Sequence, residues 1–453
     1  MTACSGRPAP AAAPAAATAS AAPDETAAPR AAVATTIPPP ASAAAAATAE
    51  TVAPRFTHPI EITNPFYPIS LTGQAISLGQ EGGKPARNEV TLLPDTKLID
   101  WNSRQIEART AQFVAYTDDR LVEVAYDYFA QADDGSVYYL GEDVDNYEDG
   151  QMVSHEGSWL AGKDGAPPAL IMPAQPAVGQ IFNPENVPGV VYEQDEIVSL
   201  SHSTTTPAGP TDKGMLVKET LMDGSVEHKV YAADFGIIED RADDEQVSLV
   251  LFSRADAKAG AVPEPLAAIE AQAEDIFDVA GGGSSKQVAG DVAAIARAWQ
   301  VYQASAAGDR VPQPFQAALA AAIDRLQKAA AAKDAAATLQ AANDLSAAVA
   351  DLLAVYHPAT PADLSRLDVL GRQVLLDVAA ADFSAAADSL AQSGAVWARL
   401  RPVILAHGGA AVAAQFESSL AAQQQALRQK SAAALTSEAT NGLELVDALE
   451  QLF

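Results

Sequence analysis

The sequence contains very little cysteine and few basic residues, and both shortages exclude classes of protein. Cys4 is the only cysteine among 453 residues, so neither a disulfide framework nor a metal site built from several thiolates is possible within the chain. Lysine and arginine number 28 against 58 aspartates and glutamates, which gives a formal net charge of −30. Such a surface repels nucleic-acid phosphates, and no basic cluster offsets it locally. We therefore expect no nucleic-acid partner.

Long apolar runs and enzyme motifs are also absent. The richest apolar stretches, such as residues 352–355, are short and interrupted by charge, so none is long enough to cross a bilayer. The sequence has no Gly-x-Ser-x-Gly elbow and no P-loop, and no glycine-rich dinucleotide motif follows a predicted strand. Residues 281–286 read Gly-Gly-Gly-Ser-Ser-Lys, but they lie between two predicted helices and are typical of a linker. These absences favour binding over catalysis.

The N-terminus gives an indication of cellular address. Thr2-Ala3-Cys4-Ser5, followed by a long Ala/Pro/Thr tract, resembles the mature start of a bacterial lipoprotein, in which the cysteine after a cleaved signal peptide is lipidated. Only three residues precede Cys4, so the alternatives are a removed signal peptide, a start assigned too late, or an unmodified thiol in a tail. The resemblance implies a cell-envelope protein anchored to the membrane through lipidated Cys4.

Three segments of different composition predict the domain organisation. Residues 1–55 are rich in alanine, proline and threonine and are predicted to be a disordered tether. Residues 56–256 alternate apolar and polar side chains between turn pairs such as Asp134-Gly135, which predicts an antiparallel meander of eight to ten strands that curls into a barrel or half-barrel. Residues 262–453 are alanine-rich with apolar residues three and four apart, which predicts a bundle of seven or eight helices. The fold class is therefore α+β with two segregated domains.

The β segment also resembles a known group of proteins. Five stretches carry the resemblance: Asn64-Pro65-Phe66-Tyr67-Pro68, Tyr128-Phe129-Ala130-Gln131, residues 137–143, Glu156-Gly157-Ser158-Trp159 and residues 169–174. They are similar to a family of uncharacterised bacterial secreted proteins that open with Asn-Pro-x-x-Pro. Leu71-Thr72-Gly73-Gln74 stands where that family has a Gly-Thr-x-Trp strand. The resemblance covers residues 64–250 and implies a fold unit and an extracytoplasmic address. The helical half resembles, without a decisive motif, envelope helical-bundle lipoproteins, including imelysin-like ones.

The densest acidic stretch, residues 118–149, suggests a Ca²⁺ site. It contains a single base, Arg120, and its last part offers carboxylates at alternating positions, as hard cations prefer. The spacing departs from an EF-hand because the glycine comes at the eighth position and Ser154 replaces the bidentate glutamate. The alternative is a set of acidic hairpin tips that keep sheet edges from aggregating. The predicted ligands are Asp143, Asp145, Glu148 and Asp149.

Histidines suggest a second, weaker metal site. The six histidines form no His-x-His or His-Glu-x-x-His motif. His357 and His407 both lie at predicted helix C-termini, where they would share a metal with Asp363 or Asp368 as the carboxylate ligand. The alternative is that each histidine caps the last carbonyls of its helix, where the helix dipole favours a cation.

The function predicted from these features is binding by a tethered envelope lipoprotein. The ligand would be a divalent cation at the acidic hairpins, or a small molecule or protein partner at the mouth of the curled sheet. The first alternative is an accessory or assembly protein that docks onto an envelope complex through its helical bundle. The second alternative is a hydrolase, which requires a deep pocket with perturbed carboxylates.

Overall fold

The computed structural model describes residues 53–280, 285–305 and 311–453. Cys4 and nearly all of the predicted tether lie outside the described residues, as do residues 281–284 of the predicted linker. Within the described part, a large antiparallel sheet is followed by a bundle of helices. This arrangement confirms the predicted α+β class with two segregated parts.

The sheet part contains more strands than the predicted eight to ten, because several strands are only two to four residues long. Such short strands leave no alternation in the sequence to recognise. The described strands are β1 (Thr72–Glu81), β2 (Lys84–Trp101), β3 (Arg104–Thr117), β4 (Arg120–Gln131), β5 (Val137–Glu148), β6 (Gln151–Ser154), β7 (Trp159–Leu160), β8 (Ala169–Met172), β9 (Ile181–Phe182), β10 (Asn186–Val187), β11 (Val191–Tyr192), β12 (Gln194–Thr206), β13 (Gly209–Thr220), β14 (Val226–Ala232), β15 (Gly236–Arg241) and β16 (Glu245–Arg254).

Two antiparallel meanders make up the main sheet. Strands β1 to β6 follow one another in space, β12 to β16 do the same, and the pairing of β1 with β16 joins the two halves. Phe129 and Tyr139 of the first meander share one core cluster with Met215 and Val217 of the second. The sheet is therefore curled so that one face closes over its own core, while its order ends at β6 and β9.

The predicted turns have the expected backbone geometry. Gly135, Gly150 and Gly224 each follow an aspartate and have φ angles of +93°, +71° and +87°. Glycine adopts this left-handed region without the steric penalty that a Cβ brings. The Asp-Gly pairs were thus correct signals for tight connections between strands.

Eight helices follow the sheet in the part of the chain that the structure describes, which agrees with the predicted seven or eight. Within the described residues they pack as two groups of four, since the first and last helices of each group are in contact and the fourth helix contacts the fifth. None of them is long and apolar enough to cross a membrane. The helices are α1 (Glu264–Ala280), α2 (Ser285–Gln303), α3 (Gln313–Ala332), α4 (Ala335–Tyr356), α5 (Ala362–Ala379), α6 (Phe383–Ala406), α7 (Ala410–Arg428) and α8 (Ala432–Glu450).

The outer face of the sheet is covered by the bundle. Ile76 of β1 and Leu251 of β16 belong to the same apolar cluster as the cores of helices α1 to α4. Val114 and Val124, on β3 and β4, pack against Ala395 of α6. The central strands are therefore buried on both faces, and the isolated sheet would expose an apolar surface to water.

A network of charged residues fastens β2 to three helices. Glu89 lies 2.7 Å from Arg87, 3.3 Å from Arg366 of α5 and 3.2 Å from Arg399 of α6. Asp351 of α4 accepts two hydrogen bonds of 2.8 Å from Arg87. Burial alone would raise the pKa of Glu89, but the three guanidinium groups outweigh it and hold the pKa far below its usual range. The ion pairs of this network therefore hold the sheet and the bundle together.

Candidate functional site

The inner face of the curled sheet carries many buried acids and a single buried lysine. An ionised carboxyl removed from water is costly unless it is paired, so such a concentration needs a physical explanation. Lys229 is 2% exposed and is the only buried lysine or arginine of the described sheet residues. The acids, here called the acidic interior, are Asp127, Glu142, Glu185, Glu193, Asp195, Glu219, Glu227 and Asp240, and each is at most 8% exposed.

The strand register places five of these acids directly opposite another acid. Asp195 on β12 is the partner of Glu219 on β13, which is also the partner of Glu227 on β14. Asp127 on β4 is opposite Glu142 on β5. Like charges in directly opposed positions destabilise a sheet. These pairs are therefore compatible with the fold only when protons or a cation reduce their charge.

Lys229 balances part of the negative charge of the acids on β12 to β15. Its ammonium group forms a buried salt bridge with Glu219, and its register partner is Asp240. Burial would lower the pKa of Lys229, but the surrounding acids outweigh burial and raise it. Burial likewise opposes ionisation of Glu219, and Lys229 keeps the pKa of that carboxyl low. Burial and the neighbouring Glu219 raise the pKa of Asp195 well above its ordinary value.

The other half of the acidic interior has no base. Burial raises the pKa of Asp127 to about 7, although the hydroxyl of Tyr139 donates a 2.8 Å hydrogen bond to it. The carboxyl of Glu142 shares a side-chain hydrogen bond with the carboxyl of Glu185, and burial together with this nearby carboxyl raises its pKa strongly. Among the described residues, no salt bridge reaches Asp127 or Glu142. Glu142 therefore keeps its proton at neutral pH, whereas Asp127, with a pKa of about 7, is protonated in about half of the molecules there.

A small cavity of about 10 Å³ lies among these groups, which is room for about one water molecule. The hydroxyl of Tyr67 lines it and is buried without a hydrogen-bonding partner. A cleft of about 60 Å³ adjoins it, since Tyr67 and Ile237 line both spaces. The other cavity residues are Tyr139, Ile171, Pro184, Glu185, Glu193, Asp195, Glu219, Lys229 and Tyr231.

Two of the predicted Ca²⁺ ligands, Asp143 and Asp145, lie within β5 and contact other polar side chains. Asp143 accepts hydrogen bonds from the ammonium of Lys97 at 2.7 Å and the hydroxyl of Tyr128 at 2.6 Å. Asp145 lies 2.8 Å from the imidazole Nδ1 of His155. Across the described residues, no group of three or more His, Cys, Asp or Glu side chains is arranged to hold a metal ion. The Ca²⁺ site stays a prediction, without a preformed ligand set.

The other two predicted ligands lie at the end of the β5–β6 hairpin, which docks onto the bundle. Glu148 is exposed, and Asp149 lies 3.3 Å from Arg120. Gly150 packs so closely against α6 that a Cβ there would lie 2.1 Å from the backbone nitrogen of Asp388. This acidic turn is therefore a contact between the sheet and α6.

The two histidines predicted as metal ligands occupy helix ends, as their capping alternative requires. His357 follows α4 with a φ of +47°, and burial lowers its pKa. His407 follows α6, lies with Nδ1 2.9 Å from the carbonyl oxygen of Val403 and contacts the ring of Phe453. The carboxylates suggested as their companions form ion pairs with arginines, Asp363 with Arg399 and Asp368 with Arg372.

The acidic interior was missed by the sequence analysis, although a local signal for part of it exists. Glu193 directly precedes β12, Asp195 and Ile197 follow it in alternation on that strand, and all three are buried. The acids thus share a face with an apolar residue instead of facing solvent. The same alternation appears in Glu227, Lys229 and Tyr231 on β14.

Comparisons with known proteins give no independent guide to this site. No family model, no curated protein and no solved structure matches the chain. The resemblances drawn from its motifs therefore remain expectations. The acidic interior has to be interpreted from its own geometry.

Proposed function

We propose that this chain is a binding protein whose curled sheet takes up a cationic ligand in its acidic interior. The observation that carries the proposal is the cavity lined by four carboxyls and only one lysine, with the buried hydroxyl of Tyr67 aimed at it without a partner. Buried polar groups left unpaired in a native structure commonly mark a place for an ion, water or ligand. A cation there would supply the missing charge.

Binding should proceed in exchange for protons. The pKa of Asp195 is raised by burial and by Glu219, so this group carries a proton until a competing cation stabilises its ionised form. A cation bound beside it lowers that pKa and releases the proton. Affinity should therefore increase as the pH rises toward 8, because less work is needed to remove the proton.

The two alternative functions receive less support. A hydrolase needs space for a scissile bond and a water molecule, whereas this cavity holds about one water. An accessory protein docking through its bundle needs an apolar stripe on that bundle. In the described helices, two large apolar side chains, Val301 and Leu405, are exposed, and they do not form such a stripe by themselves.

The envelope address belongs to the same proposal and is supported by the sequence around Cys4. Lipidation of Cys4 would hold the acidic interior outside the cytoplasm, at a membrane surface. A mass increase of the protein recovered from a bacterial membrane fraction, lost in Cys4→Ala, would support the anchor. An unmodified Cys4 in the protein isolated from its native cells would refute it.

Ligand-dependent thermal unfolding of the whole chain tests the binding function. Chlorides of Ca²⁺, Mg²⁺ and simple amines should each be titrated at pH 6, 7 and 8 and constant ionic strength. A ligand at about a hundred times its Kd should stabilise the native state by about 2.7 kcal/mol, with the larger effect at pH 8. The response should disappear in Asp195→Asn and persist in Glu196→Gln, which changes the adjacent exposed acid. No shift with any cation at any pH would overturn the proposal.

A further inference from the structure

We infer that the ligand of the acidic interior is a primary alkylamine, whose ammonium head occupies the cavity and whose apolar chain lies in the adjoining cleft. The inference rests on the proposed function and narrows it to one chemical class. It draws on the size of the cavity, the acceptors around it, the buried lysine beside it and the walls of the cleft.

The volume of the cavity favours an ammonium head group over larger cationic groups. A volume of about 10 Å³ matches one water-sized group, and an ammonium is a compact point charge of that size. A guanidinium is planar with three nitrogens, and a quaternary ammonium carries methyl groups, so both are too large. A hydrated divalent cation needs six or more oxygen ligands, and the described residues offer no preformed metal site.

The acceptors around the cavity suit an ammonium with three N–H donors. Oδ1 of Asp195 and the hydroxyl oxygen of Tyr67 are both buried and receive no hydrogen bond. The carboxyl of Glu185 belongs to the same lining. An ammonium is a donor without acceptor capacity, so it complements a wall made of acceptors.

The chain already holds one ammonium in this way. Lys229 is fully buried, its ammonium pairs with Glu219, and Asp240 is its register partner. The cavity lining carries four carboxyls and this single base, so its carboxyl groups can balance the positive charge of a second ammonium group. A ligand that repeats the chemistry of Lys229 extends an arrangement that the fold already stabilises.

The adjoining cleft suits an apolar chain. One part of its wall is apolar, and its volume is about 60 Å³. The apolar side chains are Ile69, Val90, Phe235, Ile237 and Val247, while the rest of the wall includes the polar residues Thr72, Ser77, Asn88, Glu239 and Asp240. Tyr67 and Ile237 line both spaces, so a short alkyl chain attached to a head group in the cavity would extend past these two side chains into the cleft. Because burial of each methylene group is favourable, affinity should increase about fourfold per methylene group until the cleft is filled.

Isothermal titration of the whole chain at pH 8 provides the test. The probes are n-butylamine and Nα-acetyl-lysine methylamide, which distinguish a free amine from a lysine side chain, together with n-butylguanidine, tetramethylammonium, n-butanol and CaCl₂. At least one of the two amines should bind with proton release, seen as a heat that depends on the buffer. The guanidine, tetramethylammonium and butanol should not bind.

Two variants make the result specific to the cavity. Tyr67→Phe removes a hydroxyl that has no partner in the protein, so folding is retained, while amine affinity should fall about tenfold because one hydrogen bond to a charged group is lost. Asp195→Asn should reduce affinity at least as much and reduce the proton release. Glu196→Gln should change neither value. Unchanged affinity in both Tyr67→Phe and Asp195→Asn would overturn the placement of the head group.

The outcomes separate this inference from the proposed function. Stabilisation by Ca²⁺ with no response to either amine would overturn the alkylamine and leave cation binding in place. Equal binding of tetramethylammonium would show that charge alone is recognised, which also overturns the alkylamine. Failure of every cation to bind would overturn both.

Discussion

Replacing Glu123 with glutamine should stabilise the protein, and the gain should depend on pH. Glu123 lies on β4 and is 7% exposed, and its Oε1 has no hydrogen-bonding partner. Its neighbour two residues along the strand, Ala125, packs with Phe113 and Val144 in an apolar cluster. Burial, with smaller contributions from Asp127 and Glu185, raises the pKa of Glu123 from 4.5 to about 8.

The magnitude follows from proton linkage. The folded protein keeps the proton on Glu123 at pH values where the unfolded chain releases it, so stability is highest below the unfolded pKa and falls as the pH rises toward the folded pKa. For a rise from 4.5 to about 8, the loss amounts to about 4 kcal/mol at pH 8 and to less than about 1 kcal/mol at pH 5. Glutamine stays neutral at every pH and should recover most of this loss.

Urea unfolding at pH 5 and pH 8, followed by circular dichroism and by fluorescence of the four tryptophans, measures the effect. Glu123→Gln should raise the free energy of unfolding by several kcal/mol at pH 8 and by much less at pH 5. Glu196→Gln, an exposed acid on β12, should change it by less than about 0.5 kcal/mol. A loss of stability at pH 8, or the same gain at both pH values, would refute the reasoning.

Two further predictions concern the contact between sheet and bundle. Glu89→Gln should cost about 3–5 kcal/mol at pH 7, because the buried Arg399 and the partly buried Arg87 and Arg366 lose a shared partner. Since the pKa of Glu89 is lowered, urea unfolding of the unmodified protein should show this stabilisation disappearing only as the pH falls below about 4.5. Gly150→Ala should lower the melting temperature and expose residues 148–154 to hydrogen exchange, because the added Cβ would clash with the backbone of Asp388. The control is Gly224→Ala, since Gly224 has the same left-handed backbone but open space around it. This control should cost only the backbone strain of about 1–2 kcal/mol. Equal effects of the two alanines, or a neutral Glu89→Gln, would contradict the docking described for this face.

The order of segments and the turns were predictable because their signals are local. Alternation over a strand, apolar spacing over a helix and an Asp-Gly pair each depend on a few consecutive residues. The docking of the bundle onto the sheet is not local. Arg366 hydrogen-bonds Glu89 across 277 positions of sequence. Neither the residues around Glu89 nor those around Arg366 indicate this contact.

The acidic interior was not predictable as a site because acids on a strand are normally solvated. That expectation fails at Asp195, which is 1% exposed and has an acid as its register partner. Register depends on long-range pairing, so opposed acids are invisible in the sequence. The acidic turn at Glu148–Gly150 shows the reverse case, since its conformation was predicted correctly while its packing against α6 was not.

The pairing of β1 with β16 has a consequence for how the chain reaches its native state. Gln74 of β1 hydrogen-bonds Ser253 of β16 across 179 positions, so the first meander keeps an open edge until the second has been synthesised. Closing so long a loop is slow, and contacts of high sequence separation retard folding. During that interval the edge of β1 and the apolar face around Ile76 are open to other chains, which makes nascent or truncated forms prone to association. A chaperone that holds β1 until Arg254 has emerged would thus increase the yield of native protein without altering its final stability.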